Sequence, residues 1–170
     1  MKTTGIQTQK LVVTAMLTAF CCVATMVVRV PSPTGGYLNM GDAVIILSAL
    51  LLGPWMGAVV GGVGAAAADL LAGYAVYVPG TLVIKALMGV ALGMIHRKKG
   101  TASAVIGAVI AEIIMVGGYY VYTAAFLGVG FAGALPEIPG NCMQGIFGVI
   151  AGCLLYFALR KVPGIRALEK

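Results

Sequence analysis

The sequence predicts an all-α integral membrane protein: a compact bundle of six transmembrane helices, both termini cytoplasmic, with a binding cavity facing outward. Three observations predict it. The chain is 61% hydrophobic and only 9% charged, with mean hydropathy +1.04, whereas a soluble domain is nearer about 45–50% apolar and about 25% charged. Prolines and one basic run divide it into six apolar segments. The basic residues gather on one side if all six segments cross. A soluble fold of 170 residues has no core large enough for so many apolar side chains, and the length fits one domain, residues 1–170.

Pro31 and Pro33, Pro54, Pro79, Pro136 and Pro139, and Pro163 fall at breaks between apolar runs. Proline ends a helix because it lacks the N–H and clashes with the preceding turn. With "HRKKG" at 96–100, the segments run roughly over residues 8–30, 42–52, 55–72, 81–95, 102–122 and 141–159. The first follows Lys2 and Lys10 and so mimics a secretion signal. Its run of about 18 apolar residues exceeds the usual signal core, and no small-x-small site closes it. "LTAFC" imitates a lipoprotein cleavage box, but Phe20 stands where a small residue belongs. A retained helix is expected.

Segments two and four are short. At about 1.5 Å per residue they reach only about 16 and 22 Å, against about 30 Å of hydrocarbon. Both begin on the outer side, so the loops before them must dip inward, and irregular backbone at that depth needs protein or a cavity around it. The expectation is a bowl lined by the loops "PSPTGGYLNMGDAV" and "GYAVYVPGT" and the last outer loop. Gly53, Gly57 and Gly61, and likewise Gly148 and Gly152, recur every four residues, a spacing that brings membrane helices close. Ala15 and Ala19 share it, on either an internal or a partner face.

With both ends cytoplasmic, the inner side carries Lys2, Lys10, Arg97, Lys98, Lys99, Arg160, Lys161, Arg166 and Lys170, nine of the eleven basic residues. That is the positive-inside pattern. Arg29 and Lys85 stay in the outer half.

Ionisable groups inside the segments mark function or internal pairing. They are Arg29, Asp42, Asp69, Lys85 and Glu112. Glu112 is the deepest. Lys85 has Glu112 or Asp69 as an internal partner, or a ligand. Asp42 reads as the N-cap of segment two, with Asn39 competing for that place. Six of seven tyrosines fall in the outer half, where some form an interfacial belt and Tyr74 and Tyr119 best fit a flat-ring site. Asn141 and Gln144 add amides one turn apart. The cysteines Cys21, Cys22, Cys142 and Cys153 and the lone His96 lack metal-ligand spacing, so no metal or cofactor is expected. No nucleophile–base set, HExxH or P-loop appears, which argues against an enzyme.

Six short-looped helices together with "GGYLNMGDAVIILSALLLGP", "GAAAADLLAGYAVYVPGTLVIKALMG" and "PGNCMQGIFGVIAGCLLYFALRK" resemble the substrate-binding S components of energy-coupling factor (ECF) vitamin transporters, in the branch with the riboflavin, pyridoxine and hydroxymethylpyrimidine carriers. The resemblance implies a multi-pass protein of a bacterial-type plasma membrane that binds a small vitamin beneath a first-loop lid. It implies docking on a membrane scaffold subunit served by two ATPases, which supply any ATP hydrolysis, and no nucleic acid. "AMLTA" matches the family's AxxxA docking motif at Ala15 and Ala19. The implied ligand set is Asn39, Lys85, Glu112, Tyr119, Asn141 and Gln144, to which Arg29 and Tyr74 are added from the residue reading. A carboxylate such as Glu112 accepts hydrogen bonds from an amino-bearing ring, which orders the cargo as hydroxymethylpyrimidine or a vitamin B6 form first and riboflavin next. A standalone secondary carrier or channel, and a ligand-free structural subunit, are the competing classes.

Overall fold

Proline explains where the helices begin. In the computed structural model, which describes residues 2–32, 35–98, 100–166 and 168, the chain runs α1 (Lys2–Val27), β1 (Val30–Pro31), β2 (Tyr37–Leu38), α2 (Gly41–Leu52), α3 (Pro54–Leu71), α4 (Val78–Ile95), α5 (Thr101–Val121), α6 (Gly130–Ala134), α7 (Glu137–Leu159) and α8 (Pro163–Arg166). Pro33 and Thr34 of the first loop, and Lys99 and Lys170 of the basic side, lie outside the described residues. Pro54, Pro79, Pro139 and Pro163 stand inside the first turns of α3, α4, α7 and α8, where the missing N–H is one that has no helical partner anyway. The helices therefore start earlier than the breaks expected from proline. α4 has 18 residues, about 27 Å, so it is not the short segment anticipated.

Only the second segment is short. α2 has 12 residues, about 18 Å, and every one of them is buried, enclosed by α1, α3, α4 and α7. Among the described residues, five helices are long and apolar enough to cross a membrane: Gln7–Val27, Pro54–Leu71, Val78–Ile95, Thr101–Phe126 and Glu137–Leu159. The fourth of these includes a wider, π-type turn at Tyr122–Phe126 that prolongs α5. Their outward faces carry exposed Met16, Phe20, Val63, Ile113 and Leu154, as a lipid-facing surface requires.

A small antiparallel ribbon, absent from the all-helical expectation, follows α1: Val30 faces Leu38 and Pro31 faces Tyr37. Two-residue strands are too short to show an alternating pattern. Gly35 sits in the left-handed region (φ 90°) and its N–H donates to the Ser32 carbonyl at 3.2 Å, the tight return that a side chain would strain.

The glycine spacing marks the closest crossings. A Cβ on Gly57 would lie 2.7 Å from Ala49 Cα, one on Gly61 2.7 Å from the Lys85 carbonyl, and one on Gly89 would collide with the Gly57 backbone. Gly89→Val must push α3 and α4 apart. It is expected to destabilise by at least the about 1–3 kcal/mol of overpacking, read as a lower melting temperature in detergent. Gly117→Ala, which meets nothing within 4 Å, should melt like the parent. Equal melting of all three proteins would contradict the crossing.

Candidate functional site

The ribbon lies over one end of the bundle and closes a cleft. Gly36 packs under the Tyr77 ring, where its Cβ would meet the ring at 3.3 Å, and Leu38 packs on Gly140 at the start of α7. The cleft is lined by Ser32, Gly36, Tyr37 and Asn39 from the ribbon segment, Asp69 from α3, Tyr77 and Thr81 at the start of α4, Tyr119 from α5, and Glu137, Asn141 and Gln144 from α7. Only about 30 Å³ of it is open to the centre of a water molecule.

Two hydrogen bonds tie the ribbon segment down. The Tyr37 hydroxyl donates to Asp69 Oδ1 at 2.6 Å, and the Asn39 N–H donates to Gln144 Oε1 at 2.7 Å. Burial, and then the hydrogen bond to Asp69, hold the Tyr37 phenol well above its usual range, so it stays a donor. Asp69 is also bonded by the Thr81 side chain. Thr81 meets the Tyr119 hydroxyl at 2.9 Å. With the Thr81 proton on the carboxylate, Tyr119 is the donor of that pair.

Below the floor lies a buried ion pair, and it corrects two expectations. Lys85 pairs with Asp42, both 1% exposed, rather than with Glu112 or Asp69. Asp42 makes no side-chain cap on α2. Met40 holds the N-cap position, and Asn39, one residue before it, accepts the Gly41 N–H on its Oδ1 at 2.9 Å. The reason is demand: a lysine buried beneath Tyr119, 5.5 Å from its ring centroid, needs a fully desolvated partner. Asp69 is held by Tyr37, and Asp42 points inward from the first turn of α2. Gln144 completes the group, its Nε2 donating to Asp42 Oδ2 at 2.6 Å. Thus Asn39, Gln144, Asp42 and Lys85 form one chain from ribbon to core.

Of the residues expected at a site, Asn39, Tyr119, Asn141 and Gln144 line the cleft. Lys85 lies beneath it. Glu112 is not among the lining residues. Its carboxylate, buried and without a hydrogen-bond partner among the described residues, fills the notch left by the missing side chains of Gly145 and Gly148, beside Asp42. Tyr74 backs the ribbon, its ring centroid 4.6 Å from that of Tyr37, and the Arg29 guanidinium lies 6.0 Å from the Tyr37 ring centroid. Tyr37, Tyr77, Thr81, Asp69 and Glu137 were not singled out as site residues. The signal for four of them, all but Asp69, is their place in the loops expected to line the bowl. Ala15 and Ala19 do not line the cleft; they are exposed in a groove between α1 and α3.

The profile of the ECF-type riboflavin transporter S component family matches residues 5–161. The chain belongs to that family. An uncharacterized protein of Pyrococcus woesei is 41% identical over 146 residues, 84% of this chain and 95% of that one. A solved structure described as the S component of a bacterial ECF transporter aligns with TM-score 0.75 and 25% identity, covering 91% of this chain and 97% of its own. As an ECF S component, the protein is a membrane-embedded substrate-binding subunit of a vitamin transporter that works with scaffold and ATPase subunits, and it is not itself the enzyme. The ribbon-covered cleft of this S component joins residues from β2, α3, α4, α5 and α7.

Proposed function

We propose that this S component takes up riboflavin, binding it in the ribbon-covered cleft. The observation that carries the reading is a lining rich in amides and hydroxyls: the amides of Asn39, Asn141 and Gln144 with the hydroxyls of Ser32, Tyr37, Tyr77, Thr81 and Tyr119, beside the carboxylates of Asp69 and Glu137, while the buried cation Lys85 is already held by Asp42. Amides match the imide edge of a flavin ring in both hydrogen-bond directions, hydroxyls and carboxylates match a polyol chain, and tyrosines pack on a flat ring. The case for an aminopyrimidine or B6 form rested on Glu112 facing the cargo. With Glu112 under α7, those ligands move to second place. The family's description favours the same order.

Several finer points belong to the same reading. Asn39, Tyr119, Asn141 and Gln144 touch the cargo, Lys85 and Glu112 support the floor, and Arg29 and Tyr74 steady the ribbon. The ribbon is the lid. In this closed form the cleft admits little beyond water, so entry requires release of the Tyr37–Asp69 and Asn39–Gln144 bonds. α2 is the sixth span, with both termini cytoplasmic. In support, Gly53 at the end of α2 lines one cavity with Lys10 and Arg97, the side on which basic residues gather. The whole chain acts as one membrane domain in a plasma membrane, docking on its scaffold through Ala15 and Ala19.

The test is quenching of flavin fluorescence by the protein purified gently in detergent, with pyridoxine and hydroxymethylpyrimidine as competitors. Saturable binding at or below micromolar riboflavin is expected, without displacement by excess of either competitor. Gln144→Ala should weaken it about tenfold or more, a loss of about 1.4 kcal/mol. Tight binding of pyridoxine or hydroxymethylpyrimidine instead would replace riboflavin as the cargo. No binding of any of the three would remove the cleft reading.

A further inference from the structure

The end of the bundle opposite the cleft has a second cavity, with different chemistry. About 190 Å³ of it is open to the centre of a water molecule. Lys10 of α1 and Arg97, just beyond α4, border it, and the Gly53–Pro54 joint and Gly93 complete the rim. Leu50, Leu51 and Leu52 form an apolar floor. His96 is a fixed wall: its Nε2 meets the Tyr156 hydroxyl at 2.9 Å and its Nδ1 the Ser103 hydroxyl at 3.2 Å. None of the described residues lining the cavity is acidic.

We propose that this cavity binds the phosphate of an anionic phospholipid. The level is right. The apolar stretch of α1 begins at Gln7, that of α3 at Pro54, and that of α4 ends at Ile95, so three span ends meet where lipid headgroups lie. The charge is right as well. Two cations from elements distant in sequence face one space with no carboxylate among its described lining residues, and basic pockets between membrane helices hold anionic headgroups. The leucine floor separates the occupant from inorganic phosphate, because it offers contact to the glycerol and first methylenes of a lipid and nothing to a bare anion.

A competing role for the two cations is local. The last carbonyls of α2 lack helical partners and attract cations to that end. If Lys10 and Arg97 served only those carbonyls, removing either would lower stability equally in pure detergent and in lipid.

The experiment is native mass spectrometry of the purified full chain with added phosphatidylglycerol, phosphatidylcholine or inorganic phosphate, with melting followed in parallel. Phosphatidylglycerol should be retained about fivefold over phosphatidylcholine or better, and Lys10→Ala and Arg97→Ala should each cut that retention about fivefold, the discrimination one basic side chain provides near an anionic lipid. Lys161→Ala, which removes an exposed positive charge outside this cavity, should leave retention unchanged. Equal retention of the two lipids would overturn the proposal, as would an equal effect of Lys161→Ala. Capture of inorganic phosphate as readily as lipid would overturn the lipid assignment. A loss of melting temperature without any loss of lipid retention would assign the two cations to the α2 carbonyls instead.

Discussion

Lys85→Met is expected to destabilise the protein by about 3–5 kcal/mol, the loss typical when one partner of a buried ion pair is removed. Lys85 and Asp42 are each 1% exposed, and they join α4 to α2 in the interior. Methionine nearly preserves the volume but leaves the Asp42 carboxylate desolvated, with only the Gln144 amide still donating to it. Nearby Glu112 adds a second carboxylate rather than a replacement cation. The double variant Asp42→Asn/Lys85→Met removes both charges and should recover most of the loss, because a neutral amide can still accept from Gln144. Melting in detergent of the parent, both single variants and the double variant completes the cycle. If the double variant lost the sum of the two singles, the pair would have no coupling and its role as the bundle's internal clamp would fail. The single variants should also weaken ligand binding, because Gln144 is held between Asp42 and the Asn39 N–H, and a freed Gln144 presents the cleft with no fixed donor or acceptor.

That clamp shows where the sequence was legible. Apolar runs, prolines and a one-sided basic pattern are local or additive signals, and they carry the helical membrane class and the approximate order of the helices. Proline marks a helix start as well as an end, which is why α4 and α7 begin before the breaks read from Pro79 and Pro139. Lys85 and Asp42 are 43 residues apart, and Tyr37 and Asp69 are 32 apart. Such pairs depend on how each helix is rotated, which composition does not encode. Asp42 obeyed a local rule for helix caps until a buried lysine outweighed it. Gly148 showed helix-contact spacing, yet the space it vacates, with Gly145, receives the Glu112 carboxylate. The four cleft residues that were named in advance share one property: each is a polar group at a helix start or near a helix end on the tyrosine-rich side. Tyr77 and Thr81, at the start of α4, have that property too.

Ala15→Trp or Ala19→Trp is expected to abolish vitamin uptake by the assembled transporter while leaving binding to the isolated chain within about twofold, under about 0.4 kcal/mol. The structure separates the faces of α1. Thr14, Cys21 and Thr25 are buried, and α1 meets α3 where a Cβ on Gly64 would lie 2.8 Å from the Thr18 carbonyl. Ala15 and Ala19 lie to one side of that seam, exposed with Leu11, in a groove completed by the half-buried Cys22 and by Val59 and Ala67 of α3. Small residues at that spacing let a partner helix approach closely, and an indole there fills the groove without touching the bundle interior. The groove and the cleft share no lining residue, so the ligand should not sense the change. Uptake measured in vesicles with the scaffold and ATPase subunits, beside riboflavin titration of the purified variants, distinguishes the two faces. Uptake that persisted would free the groove from docking. Binding that fell with uptake would mean that the alanine face supports the fold itself, because a surface reserved for a partner is one the isolated subunit can lose without consequence for its own ligand.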